Sequence, residues 1–118
     1  MIVCEGEKTE PNYFKGLKDE LKLNGANVEI TGKSGSSPKS VAAFAKNLYR
    51  KEKKMDNSFD RVYCVFDKDD HSTYPGALKQ IQDMEPVGVF HAIPSVPCFE
   101  YFLLLHYKYT TQSFANCA

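Results

Sequence analysis

The chain has 118 residues, a length that suits one domain with one core. Apolar residues make up 42% and charged residues 25%, a balance that excludes intrinsic disorder. Acidic and basic residues cancel to a formal net charge of zero, so no overall field draws the protein to nucleic acid or an anionic membrane. Any nucleic-acid contact has to come from a local patch.

A short β-rich run at residues 2–4 opens the chain and ends in the acidic stretch "EGEKTEP". The spacing then predicts a helix over 9–25, with Thr9 as its N-cap, Pro11 in the first turn and Gly25 as its stop. Tyr13, Phe14, Leu17 and Leu21 form its apolar face. Residues 27–32 alternate like a second strand, and "KSGSSPKS" leads through a Gly/Ser loop into a second helix capped by Ser37, with Pro38 in its first position. Val41, Phe44, Ala45 and Leu48 recur at helical spacing before a basic tail. Residues 61–67 are nearly continuous hydrophobe, the pattern of a central parallel strand. A helix over 74–85 and a strand over 87–93 follow, then a turn bracketed by Pro94 and Pro97. The last helix, over 98–107, is apolar nearly all round.

Strands alternating with helices predict an α/β fold, a Rossmann-like sandwich with a mainly parallel sheet of about four strands flanked by helices. Four widely spaced cysteines without C-x-x-C read as reduced thiols, which favours a cytoplasmic protein. No signal-peptide pattern is present and the longest apolar run, residues 102–105, is too short to span a bilayer, so no membrane role is expected. Strand one starts almost at Met1 and the chain stops without a polar tail. Residues 1–118 are therefore expected to be a single α/β domain cut from a longer chain.

Ligands in parallel sheets gather beyond the carboxyl ends of the strands. Glu5 follows strand one; Asp67, Asp69 and Asp70 follow strand three; Glu100 opens the helix after strand four. Converging carboxylates repel unless a cation lies between them, and a hard divalent ion, Mg²⁺ or Mn²⁺, suits that donor set. The candidate metal ligands are Glu5, Asp67, Asp69, Asp70 and Glu100. The plainer alternative is a solvated turn after a strand, and for Glu100 a carboxylate favoured by the helix dipole. His71 is a candidate ligand or acid/base group, or else a polar turn residue. "GKSGSSPKS" lacks Walker spacing, so a flexible loop is the expected reading. "YRKEKK" reads as a solvated helix face.

"VCEGEKTEPNYF", "VFDKDDH" and "SVPCFEYFLLLHY" together resemble the signature blocks of the RloB-like family, associated with restriction-modification and abortive-infection loci of bacteria and archaea. The arrangement is also similar to the Toprim fold, where a glutamate after the first strand and a later D-x-D serve Mg²⁺-dependent phosphoryl transfer. Glu5 matches that glutamate, and Asp67 and Asp69 the D-x-D. One extra residue separates "EGEKTE" from the "EG-x-T-E" of the nuclease branch, which leaves the role of Glu10 open. The resemblance implies a Mg²⁺-dependent nuclease or nuclease-like effector in phage defence, with nucleic acid as substrate. Glu5 would then act as general base or metal-bound group. Lys8 or Lys68 would stabilise phosphate charge, Lys68 standing with Glu5 and His71 as the catalytic candidates. The alternative it implies is a non-catalytic subunit working with an ATPase from the same locus.

Overall fold

Among the described residues, four strands alternate with four helices: β1 (Ile2–Cys4), α1 (Thr9–Glu20), β2 (Ile30–Thr31), α2 (Pro38–Lys54), β3 (Val62–Asp67), α3 (Tyr74–Gln82), β4 (Phe90–Ser95) and α4 (Phe99–Leu104). The structure is a computed structural model that describes residues 1–6, 8–22, 30–31, 37–56, 58–68, 72, 74–96 and 98–104. All strand pairs are parallel and the sheet order is β2-β1-β3-β4. The α/β fold with a four-stranded parallel sheet flanked by helices is thus the one expected. Among the described residues, no helix is long and apolar enough to cross a membrane.

β3 is interior, with β1 on one side and β4 on the other, which explains its unbroken hydrophobic run. Successive side chains point to opposite faces. Val62, Cys64 and Phe66 enter a core shared with Val3, Val41, Ala42, Ala45, Ile81 and Phe90, so α2 and α3 close that face. α2 starts as its sequence demands. The Ser40 amide donates to Ser37 Oγ at 3.2 Å, the Ser37 amide donates to Ser40 Oγ at 3.1 Å, and Pro38 occupies the first turn.

The structure differs from expectation in several respects. α1 is preceded by Lys8 as N-cap, without a side-chain capping bond, rather than by Thr9. Its expected apolar stripe is only half used: Tyr13 packs edge-on against Phe14 and Phe99, Phe14 meets Phe99 at a tilt, and Leu21 is 58% exposed. β4 lies further along than 87–93, because Gly88 at φ +83° belongs to the preceding turn and Pro94 sits inside the strand. An edge strand tolerates a proline because its missing N–H can face away from the sheet.

Cys4 and Cys64 are buried thiols outside any disulfide, and burial pushes both up to about 12, as expected of small apolar side chains. Cys98 is buried as well, at 1% exposed. The Gly25 stop, most of the 27–32 strand, the Gly/Ser loop at 32–36 and the end of the 98–107 helix lie outside the described residues.

Candidate metal centre

The carboxyl ends of β1 and β3 come level because Cys4 pairs with Val65. The ladder continues one step, with the Glu5 amide donating to the Val65 carbonyl at 2.9 Å. The Glu5 side chain then turns along the edge, and its Oε2 accepts the Asp67 amide at 2.8 Å. Asp67 Oδ1 in turn accepts the Phe99 amide at 2.9 Å, at the start of α4. One carboxylate therefore ties β1 to β3, and the next ties β3 to α4.

These bonds bring a third and fourth carboxylate in. Gly6, at φ +88°, lets the chain reverse after β1, a conformation that costs an L side chain dearly. A methyl at this position would also meet Glu10 Oε2 at 2.8 Å, so the missing side chain makes room for a carboxylate. Glu10, in the first turn of α1, is 6% exposed and is the one buried charged residue among the described residues. Carboxylate oxygens of Glu10, Asp67 and Glu100 all lie within 4.8 Å of one another. The cleft they share, about 480 Å³, is lined by Glu5, Gly6, Lys8, Thr9, Glu10, Asp67 and Glu100.

The electrostatics are unfavourable for four acids left to themselves. Burial pushes the Glu10 carboxyl up to about 7; a hydrogen bond from its own backbone opposes this, and the charges of Asp67, Glu100 and Glu5 add to it. The positive end of α1 offsets only a fraction of that cost, roughly 0.3–1 kcal/mol for a carboxylate at a helix start.

A hard divalent ion fits this donor set. Such ions take oxygen ligands, and these three carboxylates offer oxygens within 4.8 Å of one another. Glu10, Asp67 and Glu100 would hold it, and the ion would neutralise their charge.

The expected site residues distribute unevenly. Glu5, Asp67 and Glu100 meet at this edge. Glu100 is exposed and faces Asp67 and Glu10, while the capping of α4 is done by Asp67. Lys68 is exposed, with its Nζ 5.8 Å from the centroid of the Tyr74 ring, and does not line the cleft. Asp69, Asp70 and His71 lie outside the described residues. Glu10 is the residue that reading the sequence left open. In the first turn of a helix, a glutamate looks like a solvated dipole partner, and the available signal was the Thr-Glu pair after "EG".

The order of acidic blocks along one parallel sheet now has a source. The model of the RloB-like protein family matches residues 1–118. The chain belongs to the RloB-like family. No curated protein and no solved structure matches it.

Proposed function

We propose that this RloB-like chain is a divalent-metal-dependent phosphodiesterase acting on nucleic acid, with Mg²⁺ or Mn²⁺ as its ion and prokaryotic phage defence as its setting. The observation that carries this reading is the Glu10, Asp67 and Glu100 cluster, in which a carboxylate is buried among like charges. Such an arrangement is costly for a scaffold and useful for holding a hard cation. The family resemblance supplies the nucleic-acid substrate and the defence setting.

In the reaction, a water oxygen attacks phosphorus and the bond to the leaving sugar oxygen breaks. Glu5, on the rim of the same cleft, takes the proton from water, and the leaving oxygen is protonated from solvent. Asp67 is held by the Phe99 amide, so its free rotation is restricted before substrate arrives.

The test is cleavage of single- and double-stranded DNA and RNA with and without Mg²⁺ or Mn²⁺. The expected result is metal-dependent cleavage that Asp67→Asn lowers by at least about a hundredfold, the scale of losing one charge-stabilising group. A folded, metal-binding protein that cleaves none of these would exclude the phosphodiesterase and favour a non-catalytic subunit acting beside an ATPase.

A further inference from the structure

Of the seven described residues lining the cleft, four are carboxylates: Glu5, Glu10, Asp67 and Glu100. One divalent ion leaves such a cleft still negative, and a phosphodiester arriving there brings a further negative charge. Attraction for substrate therefore requires a cation of the protein's own, positioned on the cleft wall. Two lysines stand beside the acidic blocks in the sequence, and the structure separates them.

Lys68 directly follows Asp67, yet it leaves the sheet edge. Its amide donates to the Ser95 carbonyl at 2.9 Å, continuing the ladder toward β4, and its ammonium lies over the Tyr74 ring. A cation–π contact of this kind is worth roughly 0.5–1 kcal/mol at an exposed site, enough to bias the side chain toward α3. Lys8 takes the other course. It is the residue before α1, its carbonyl accepts the Asn12 amide at 2.9 Å, and this helical anchor fixes its backbone two residues from Glu10. Its exposed side chain lines the cleft together with the neighbouring Thr9, and it is the one cationic residue among the described residues that does so.

We propose that Lys8, and not Lys68, is the residue that contacts the substrate phosphate, with Thr9 beside it as a hydroxyl donor. This rests on the phosphodiesterase reading above and adds to it a phosphate contact within the same cleft. An ammonium there pairs with a non-bridging phosphate oxygen. It also opposes the charge that builds on that oxygen as water attacks.

The experiment is a binding titration with the 5′-phosphorylated dinucleotide pTpT in the presence of Ca²⁺, alongside a separate Mn²⁺ titration without nucleotide. The full chain is compared as wild type, Lys8→Gln, Lys8→Arg and Lys68→Gln. The proposal expects Lys8→Gln to weaken pTpT binding about tenfold, the usual scale of one charge-assisted hydrogen bond, with recovery in Lys8→Arg. Mn²⁺ affinity in Lys8→Gln should stay the same or rise a few-fold, because a like charge has left the site. Lys68→Gln should leave both titrations within about twofold of wild type, as expected when a side chain contacts neither ligand. Wild-type pTpT affinity in Lys8→Gln, or a tenfold loss in Lys68→Gln instead, overturns the Lys8 assignment and leaves the phosphodiesterase reading standing. A wild-type protein that binds Mn²⁺ but no pTpT overturns both.

Discussion

Along β3, Val62, Cys64, Val65 and Phe66 are each at most 3% exposed, and Val62, Cys64 and Phe66 belong to a core shared with both adjacent strands and the helices. One residue further, Asp67 enters a cleft where carboxylate oxygens of Glu10 and Glu100 lie within 4.8 Å of its own. The same strand thus serves two regions with opposite rules. In the core every contact lowers the free energy of the folded state, and a substitution is felt as lost stability. At the carboxyl edge the chain keeps like charges together, with one of them buried, and the cost is explained by what the arrangement can hold. Residues that matter for folding and residues that matter for binding should therefore separate cleanly under mutation.

The largest effect should come from the core. Phe66→Ala empties a site that is 1% exposed and should lower unfolding free energy by about 3–5 kcal/mol in a denaturant titration. Metal binding would then disappear only with the fold. Asp67→Asn should do the reverse. The amide oxygen can still accept the Phe99 N–H, so stability without metal should stay within about 1 kcal/mol or rise as repulsion is relieved. Affinity for Mn²⁺, followed by calorimetry, should fall by more than about tenfold, the scale of losing one charged ligand group.

Two glycines sharpen the contrast between regions. Gly6→Ala forces an L side chain to φ +88° against the Glu10 carboxylate, which should cost roughly 1–2 kcal/mol in thermal unfolding and weaken metal binding as well. Gly76→Ala, within α3 where a methyl meets nothing within 4 Å, should leave metal binding alone and stabilise by roughly 0.5–1 kcal/mol. Equal behaviour of the two variants would remove the argument that Gly6 makes room for Glu10.

The smallest effect is on pH dependence. Glu10 has its carboxyl raised from 4.5 to about 7, chiefly by burial, so the folded state binds a proton there more tightly than the unfolded chain does. Its stabilising contribution is complete below about 4.5 and is lost as pH rises through about 7. Metal-free protein should accordingly show a falling contribution to its melting temperature between pH 5 and pH 8, one that Glu10→Gln removes. Bound metal competes with that proton, so Mn²⁺ affinity should drop by up to about tenfold for each pH unit below 7.

Most of the fold was legible because its signals are local. Alternating β and helical periods, the Ser37-Pro38 start of α2 and the apolar run of β3 each state their element within a few residues. The edge of β4 was misplaced because Pro94 reads as a strand breaker until the strand is known to be at the sheet edge. For the site, the topology rule was enough to place Glu5, Asp67 and Glu100 at one edge. Which oxygens meet was not legible. That depends on the reversal at Gly6, which carries Glu10 back toward Asp67, and on the Asp67 amide engaging the Glu5 carboxylate. Both are long-range outcomes with no periodic trace in the sequence. The two lysines show the same limit, since Lys68 is adjacent to Asp67 in the chain and yet turned toward Tyr74.

The central claim is that Glu10, Asp67 and Glu100 together hold a divalent cation. Calorimetric titration of Mn²⁺ into the full chain at pH 8, for wild type and for Glu10→Gln, tests it most directly, because Glu10 is the buried member with the most to gain from a cation. The account predicts a single saturable ion in wild type and a loss of more than about tenfold in affinity in the variant, whose shape is unchanged and whose charge is gone. An unaltered Mn²⁺ isotherm in folded Glu10→Gln, or no binding by wild type at millimolar Mn²⁺, would contradict it.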